Sequence, residues 1–99
     1  FVKDACRSLI LAMNSSVTCN AYNISSGKQI SILDLCKRIQ KIMNNNIPIE
    51  FINKDEEKYL VTNRIGSIEK AKTELGFEAD TSLEEGLIQV IEWKLNQKM

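Results

Sequence analysis

The residue types that most often carry out chemistry are scarce in this chain of 99 residues. The chain has no histidine, so it lacks the usual general base near neutral pH and cannot form Cys-His nucleophilic pairs or His-based metal sites. Its three cysteines, Cys6, Cys19 and Cys36, form no C-x-x-C pair that could begin a zinc or redox site. We therefore expect buried, free thiols, and we predict neither a catalytic residue nor a metal site.

Acidic residues offer two further groups to consider. Asp55, Glu56 and Glu57 are consecutive and could bind a cation, but consecutive charges on a loop are typical of a solvated surface. Glu84 and Glu85 lie in the first turn of a predicted helix, where the helix dipole favours carboxylates. Neither group predicts a catalytic site.

The charge balance argues against two classes of partner. Thirteen Lys and Arg residues match thirteen Asp and Glu residues, so no net field would attract nucleic acid or an anionic membrane. The longest apolar runs, such as Leu9 to Met13, fall far short of the roughly 20 residues that span a bilayer, and no signal-peptide pattern precedes them. We expect a cytoplasmic protein with a single domain over residues 1–99.

Two helices are predicted near the end of the chain. Gly76 follows a short helical pattern and can take the left-handed conformation that ends a helix. Ser82 and Glu85 have the spacing of a capping box, which begins the next helix. Regularly spaced apolar residues then predict one buried face for that helix. They are Leu83, Leu87, Val90, Ile91 and Leu95.

The upstream sequence alternates helical and extended patterns. We predict a helix from Asp4, as its cap, to about Met13, and a second helix from Ser31 to about Met43. Each carries an apolar stripe that we expect to be buried. Short strands are predicted over 19–24 and 47–52. The fold class is therefore α/β, with about four helices and a short parallel two-stranded sheet. So small a layer would leave helix faces bare, which favours a partner domain.

Three strings also resemble one family, in order and at plausible distances. FVKDACRSLILAM resembles a (F/Y)-(I/V)-x-x-x-D-(V/A) stretch that leads into a helix. AYNISSGKQISILDLCKRI resembles a (Y/F)-N-(I/V)-G-(S/T)-G-x-x-(I/V)-S-(I/V)-x-E-L segment. SIEKAKTELGFEADTSLEEGLIQVIEW resembles a D-x-S-K-A-x-x-x-L-G-(W/F)-x-P stretch followed by S-L-E-E-G-L. All three belong to the NAD-dependent nucleotide-sugar epimerases and dehydratases, the extended short-chain dehydrogenases.

The resemblance covers almost the whole chain but only about the last third of a family member. It implies a C-terminal substrate-binding portion that normally packs on an N-terminal Rossmann domain, which is absent here. The family's Tyr-x-x-x-Lys pair is missing, since Tyr22 is followed by Ser26 and Tyr59 by Asn63 at the lysine position. No G-x-x-G-x-x-G turn is present either. NAD is therefore expected in the parent enzyme, with none bound by this portion.

Substrate contacts are the remaining role for individual residues. Because the resemblance implies a nucleoside-diphosphate sugar, Arg64 and Lys58 are candidates for binding its diphosphate, and Gly27 lies after the first predicted strand, where open α/β sheets place ligands. The family carries a phosphate-facing arginine in an R-x-G-D stretch near this region. Here Glu57 stands near the expected distance and Ser67 replaces the aspartate, so the role is not transferred directly. Solvated surface charge is the alternative for both cations.

Lys70 and Trp93 have plainer interpretations. Lys70 matches the lysine of the family's S-K-A triplet, but charged neighbours favour an exposed side chain. Trp93 is expected to be a core or interface anchor on the last helix. The leading hypothesis is the substrate-side portion of an NAD-dependent nucleotide-sugar epimerase or dehydratase, inactive alone. The alternative is an independent small α/β module that binds another protein through exposed helix faces.

Overall fold

The computed structural model describes residues 1–52 and 64–97, and these contain four α-helices. They are α1 (Val2–Met13), α2 (Ile32–Met43), α3 (Glu69–Leu75) and α4 (Leu83–Asn96). The chain forms two compact units: the first comprises Phe1–Lys28 with Ile65–Met99, and the second Gln29–Arg64. No helix in the described ranges has the length and apolar character needed to cross a membrane.

The junction between α3 and α4 confirms the local predictions. Gly76 has a φ of 67° and ends α3, and its N–H donates to the Lys72 carbonyl at 3.1 Å. Ser82 and Glu85 form the capping box: the Glu85 N–H donates to Ser82 Oγ at 3.2 Å, and the Ser82 N–H donates to Glu85 Oε2 at 3.0 Å. Both helix ends are therefore fixed by neighbours in sequence.

Helix α1 corrects two predictions. Phe1 occupies its N-cap position without a side-chain cap bond, and Asp4 lies inside the first turn. The expected buried stripe is wrong, because its apolar side chains are exposed while Asp4 and Ser8 are buried. Within the first unit, the inward side of α1 consists of the buried Asp4 and Ser8 together with the half-buried Arg7 and Leu11.

The apolar core of the first unit is small. Ala71 and Phe77, on α3 and just after it, are the buried hydrophobic residues of the described chain. Phe1 packs against Gly86 of α4, where an added Cβ would lie 3.3 Å from the ring. The predicted buried face of α4 is only partly correct: Leu87 and Ile91 are half-buried, whereas Leu83, Val90 and Leu95 are exposed. Trp93 is exposed too, so it is not a core residue.

The second unit is built around α2. Ser31 caps the helix as predicted, with its Oγ accepting from the Asp34 N–H at 3.1 Å. The helix ends at Asn44, whose φ of 52° is left-handed. No residue of α2 is fully buried, and Ile32 is exposed. The expected burial of its apolar stripe is therefore only partial within this unit.

The predicted two-stranded sheet is wrong: the described residues contain no strand. Cys19 has a φ of 54°, which breaks an extended run. Side chains engage backbone groups that a ladder would need, because Asn20 Oδ1 accepts from the Ala21 N–H and Gln40 Nε2 donates to the Ile47 carbonyl. Pro48 has no N–H to contribute. The α/β class is thus replaced by an all-helical arrangement over the described ranges.

The cysteines are free, but the prediction that they are buried is wrong. Cys6 and Cys19 are exposed, and Cys36 is half-buried.

Candidate functional site

Gly27 lies in a tight corner of the first unit, where the chain near residue 25 meets the segment that leads into α3. Its φ is 71°, and an added Cβ would lie 3.3 Å from Ile68 Cδ1. Ser25 Oγ donates to the Gly66 carbonyl at 3.1 Å and accepts from the Gly27 N–H at 3.3 Å. A Cβ on Gly66 would meet Ser25 Oγ at 2.7 Å. In this corner, which we call the Ser25 corner (Ser25, Gly27, Gly66 and Ile68), the positive φ of Gly27 favours glycine, and Gly66 leaves room for Ser25 Oγ.

Lys70, on α3, forms hydrogen bonds with the segment that follows α1. Lys70 Nζ donates to Asn20 Oδ1 at 2.5 Å and to the Ala21 carbonyl at 2.9 Å. It also lies 5.1 Å from the centre of the Tyr22 ring. The residue is exposed, as predicted, yet its ammonium group has definite partners. Lys70 therefore helps to hold α3 against this segment of the first unit.

Tyr22 carries the one described side-chain oxygen that is enclosed without a hydrogen-bond partner of normal geometry. Burial, followed by the negative charge of nearby Glu74, raises the pKa of Tyr22 above its ordinary value of 10.0. The phenol is therefore neutral near pH 7. It is suited to packing beneath Lys70 rather than to proton transfer.

Two of the three predicted substrate-binding residues lie in the described parts of the chain, in different units. Gly27 belongs to the first unit, and Arg64, which is exposed, belongs to the second. Lys58 lies outside the described residues. Their role in binding a diphosphate stays a prediction.

The second unit contains an open groove of about 470 Å³ beside α2. Its lining is mainly apolar, with one cation and two amides. The lining residues are Leu33, Lys37, Gln40, Asn46, Ile47, Ile49 and Phe51. No group of carboxylates or thiols suited to a metal ion occurs among the described residues.

The sequence analysis missed the polar cluster that joins α1 to the loop before α4. Asp4 accepts from the N–H groups of Asp80 and Thr81 at 3.3 and 3.2 Å. Arg7 Nη2 lies 3.3 Å from Asp4 Oδ1 and 3.1 Å from Asp80 Oδ1, and it donates to the Glu78 carbonyl. The i, i+3 spacing of Asp4 and Arg7 was the available signal, but the partners are more than 70 residues away in sequence. We call Asp4, Arg7 and Asp80 the α1 anchor.

The ionisation and hydrogen bonding of Asp4 indicate that the α1 anchor stabilises the fold rather than transferring protons. Burial alone would raise the pKa of Asp4, but hydrogen bonds from Asp80, Thr81 and Arg7 outweigh it and lower the pKa below the ordinary 3.8. Asp4 is therefore an anion near neutral pH, fully engaged by donors. It is not available as a general acid.

Several known proteins match the chain, and two enzymes among them illustrate the similarity. The chain is 30% identical over 80 residues to UDP-glucose 4-epimerase of Bacillus subtilis, which covers 81% of this chain and 23% of that enzyme. Two crystal structures of Bordetella bronchiseptica WbmF match 96% of this chain at 40% identity, each over 28% of the WbmF chain. The TM-score is 0.78 for WbmF in complex with NAD+ and UDP, and 0.79 for WbmF in complex with NADH. No protein-family model matches the chain.

Proposed function

Because the chain corresponds to the C-terminal portion of the NAD-dependent nucleotide-sugar epimerase/dehydratase family, we propose that it forms the substrate-side portion of such an enzyme. Its substrate would be a nucleoside-diphosphate sugar, which the parent enzyme epimerises or dehydrates with NAD. The chain spans less than a third of the length of the relatives it matches, 23% and 28%. The activity therefore belongs to a larger assembly than these residues.

One observation carries the proposal. Identity of 40% extends over 96% of the chain, with a TM-score of 0.78, to an enzyme seen in complex with NAD+ and UDP. Identity at this level supports shared ligand chemistry as well as shared fold. The capping box of α4 and the glycine that ends α3 both lie within SIEKAKTELGFEADTSLEEGLIQVIEW, the third string that resembles the family.

The dinucleotide would be held by polypeptide outside these 99 residues. A pyrophosphate is usually bound at a glycine-rich turn that opens a helix, and the sequence has no such turn. It also has no Tyr-x-x-x-Lys pair. We therefore expect the 99 residues alone to be inactive. Turnover of UDP-glucose with NAD+ by the isolated chain would contradict this expectation.

Within the proposal, Arg64 and Lys58 supply positive charge to the diphosphate. The Arg64 guanidinium is exposed, and a planar fork of donors suits two phosphate oxygens. Arg64 immediately precedes the segment that closes the Ser25 corner. Gly27 would contribute by shaping that corner through its left-handed backbone.

A chimera tests the proposal: the matched portion of WbmF is replaced by this chain, and the affinities for UDP and NADH are measured by calorimetry. We expect the chimera to bind both. Arg64→Ala should weaken UDP binding by roughly 10- to 150-fold, because a hydrogen bond to a charged group contributes about 1.5–3 kcal/mol. Lys58→Ala should act in the same direction. NADH affinity should stay within about twofold, because the proposal places neither cation at the dinucleotide.

Lys94→Ala is the matched control, because Lys94 is an exposed cation in the last turn of α4 and has no assigned role. Equal loss of UDP affinity in this variant would show a general charge effect. A chimera that folds and binds NADH but not UDP would overturn the proposed function. That result would favour the alternative, an independent module that binds another protein.

A further inference from the structure

The Ser25 hydroxyl group joins two stretches of the chain that are 41 positions apart in sequence. Its Oγ accepts from the Gly27 N–H at 3.3 Å and donates to the Gly66 carbonyl at 3.1 Å. A hydroxyl can accept and donate at the same time, so the two bonds do not compete. We call this pair of hydrogen bonds, made by Ser25 Oγ with Gly27 and Gly66, the Ser25 clasp.

The contact between Ser25 and Gly66 is close as well as polar. A Cβ on Gly66 would lie 2.7 Å from Ser25 Oγ and 3.1 Å from Ser25 Cβ. Both residues are half-buried, and a hydrogen bond that is partly shielded from water is stronger than one on an open surface. The clasp therefore has little room to shift, and it restricts where the backbone of Gly66 can lie.

The neighbouring Ser26 shows which part of this arrangement is ordinary. Ser26 Oγ accepts from the Lys28 N–H at 3.2 Å, at the same two-residue spacing as the bond from Gly27 to Ser25. Bonds of this kind are common local chemistry of serine in turns. The bond to Gly66 goes beyond the turn. Ser25 also stands where the family segment (Y/F)-N-(I/V)-G-(S/T)-G has its first glycine, so that motif does not supply this hydroxyl.

The clasp lies near both places where the chain passes between its two units. These passages are Lys28–Gln29 and Arg64–Ile65. Arg64 stands two positions before Gly66 in the sequence, and two residues of backbone span at most about 7 Å. A bond that fixes the Gly66 carbonyl therefore also restricts the backbone from which the Arg64 side chain extends.

We infer that Ser25 is a positioning residue for diphosphate binding: through the Gly66 carbonyl, it holds the backbone that presents Arg64 to the phosphate oxygens. This inference rests on the proposed function. A guanidinium group binds two phosphate oxygens only when its planar fork is correctly oriented. Binding groups of this kind need supporting residues that hold them to within about 0.5 Å. Ser25 supplies that support without touching the ligand.

The test uses the chimera of WbmF with this chain and measures UDP and NADH affinities by calorimetry. Ser25→Ala should weaken UDP binding by about 3- to 10-fold, the factor that corresponds to the loss of one hydrogen bond. NADH affinity should stay within about twofold. The matched control is Ser26→Ala, which removes a hydroxyl from the same turn but leaves the clasp intact. Its UDP affinity should also stay within about twofold.

A double-mutant cycle with Arg64→Ala separates positioning from general destabilisation. If Ser25 acts through Arg64, Ser25→Ala should change UDP affinity by less than about twofold once residue 64 is alanine. A loss of equal size in both backgrounds would overturn the inference, because the hydroxyl would then act independently of Arg64. An equal loss in Ser26→Ala, or unchanged UDP affinity in Ser25→Ala, would overturn it as well.

Gly66→Ala disturbs the clasp from its other side. The added methyl group would lie 2.7 Å from Ser25 Oγ, so it should displace the hydroxyl and weaken UDP binding at least as much as Ser25→Ala. Unchanged UDP affinity in a Gly66→Ala chimera would contradict the inference. Far-ultraviolet circular dichroism and NADH binding check that each variant is folded. A chimera that binds NADH but not UDP rejects the proposed function and the inference together, whereas UDP binding that is insensitive to Ser25→Ala rejects the inference alone.

Discussion

At the scale of single residues, Phe77 is the largest fully buried side chain among the described residues. Its side chain is fully buried, at 0% exposure, and the Arg7 guanidinium lies 5.1 Å from the centre of its ring. Phe77→Ala should lower the free energy of unfolding by about 3–5 kcal/mol, since it removes a buried ring and leaves a cavity. Urea unfolding of the WbmF chimera, in which we expect a cooperative transition, followed by circular dichroism, measures this loss.

Phe51→Ala is the matched control for that substitution. Phe51 is 77% exposed, so its loss should change the unfolding free energy by less than about 0.5 kcal/mol. Equal effects of the two variants would mean that the packing around Phe77 is not the source of stability that its burial indicates.

Asp4 makes the stability of the chain depend on pH in a defined direction. Burial opposes its ionisation, but the hydrogen bonds from Asp80, Thr81 and Arg7 prevail and lower its pKa below the ordinary 3.8. A depressed folded-state pKa contributes stability that is present above the ordinary value and lost as the pH falls through the folded value. Unfolding midpoints at pH 7 and pH 3 should therefore differ more for the unmodified chain than for Asp4→Asn. An identical acid dependence in the two proteins would refute this role of Asp4.

At the scale of elements, α4 depends on its capping box. Ser82 Oγ accepts from the Glu85 N–H, and the Glu85 carboxylate accepts from the Ser82 N–H. Ser82→Ala removes the first bond and should destabilise the helix by about 1 kcal/mol, whereas Ser82→Thr should retain most of the stability. Thermal melts monitored at 222 nm, on the helical signal, compare the two. Similar melts for Ser82→Ala and the unmodified chain would show that the box contributes nothing.

The elements that the sequence predicts correctly are those decided within a few residues. Gly76 ends α3 with a positive φ, and Ser31 and Ser82 cap their helices. Strands depend on partners that are distant in sequence, and this is where prediction failed. At 19–24 the alternation looked extended, but Cys19 is left-handed and Lys70, far along the chain, binds the Ala21 carbonyl. No local pattern contains that contact.

In helix α1, the buried side also depends on contacts that are distant in sequence. Its periodicity gave the correct end at Met13, but the predicted N-cap lies three residues after the observed one, and the pattern indicated one apolar side. Periodicity identifies an apolar side but does not say which side meets the rest of this chain. The anchors on Asp4 and Arg7 decide that, through residues more than 70 positions away.

At the scale of the whole molecule, the candidate substrate site was only partly predictable. The resemblance indicated the family, and the comparisons confirmed it. It did not locate a pocket, because Gly27 and Arg64 fall in different units and Lys58 lies outside the described residues. Under the proposed function, other polypeptide would supply the remaining residues of the site, so the sequence of this portion contains only some of them.

The small apolar core leads to the last prediction, on the isolated chain. Ala71 and Phe77 are the buried hydrophobic residues of the described ranges, while Leu9, Met13 and Trp93 are exposed. We expect the isolated chain to bind a hydrophobic dye and to melt over a broad range, because exposed apolar surface and little core favour weak cooperativity. In the WbmF chimera, burial of these apolar side chains should narrow the thermal transition and suppress dye binding. Burial of Trp93 would also shift its fluorescence. A sharp, monomeric, dye-free transition in the isolated chain would instead identify a self-sufficient module and count against the substrate-side portion of a larger enzyme.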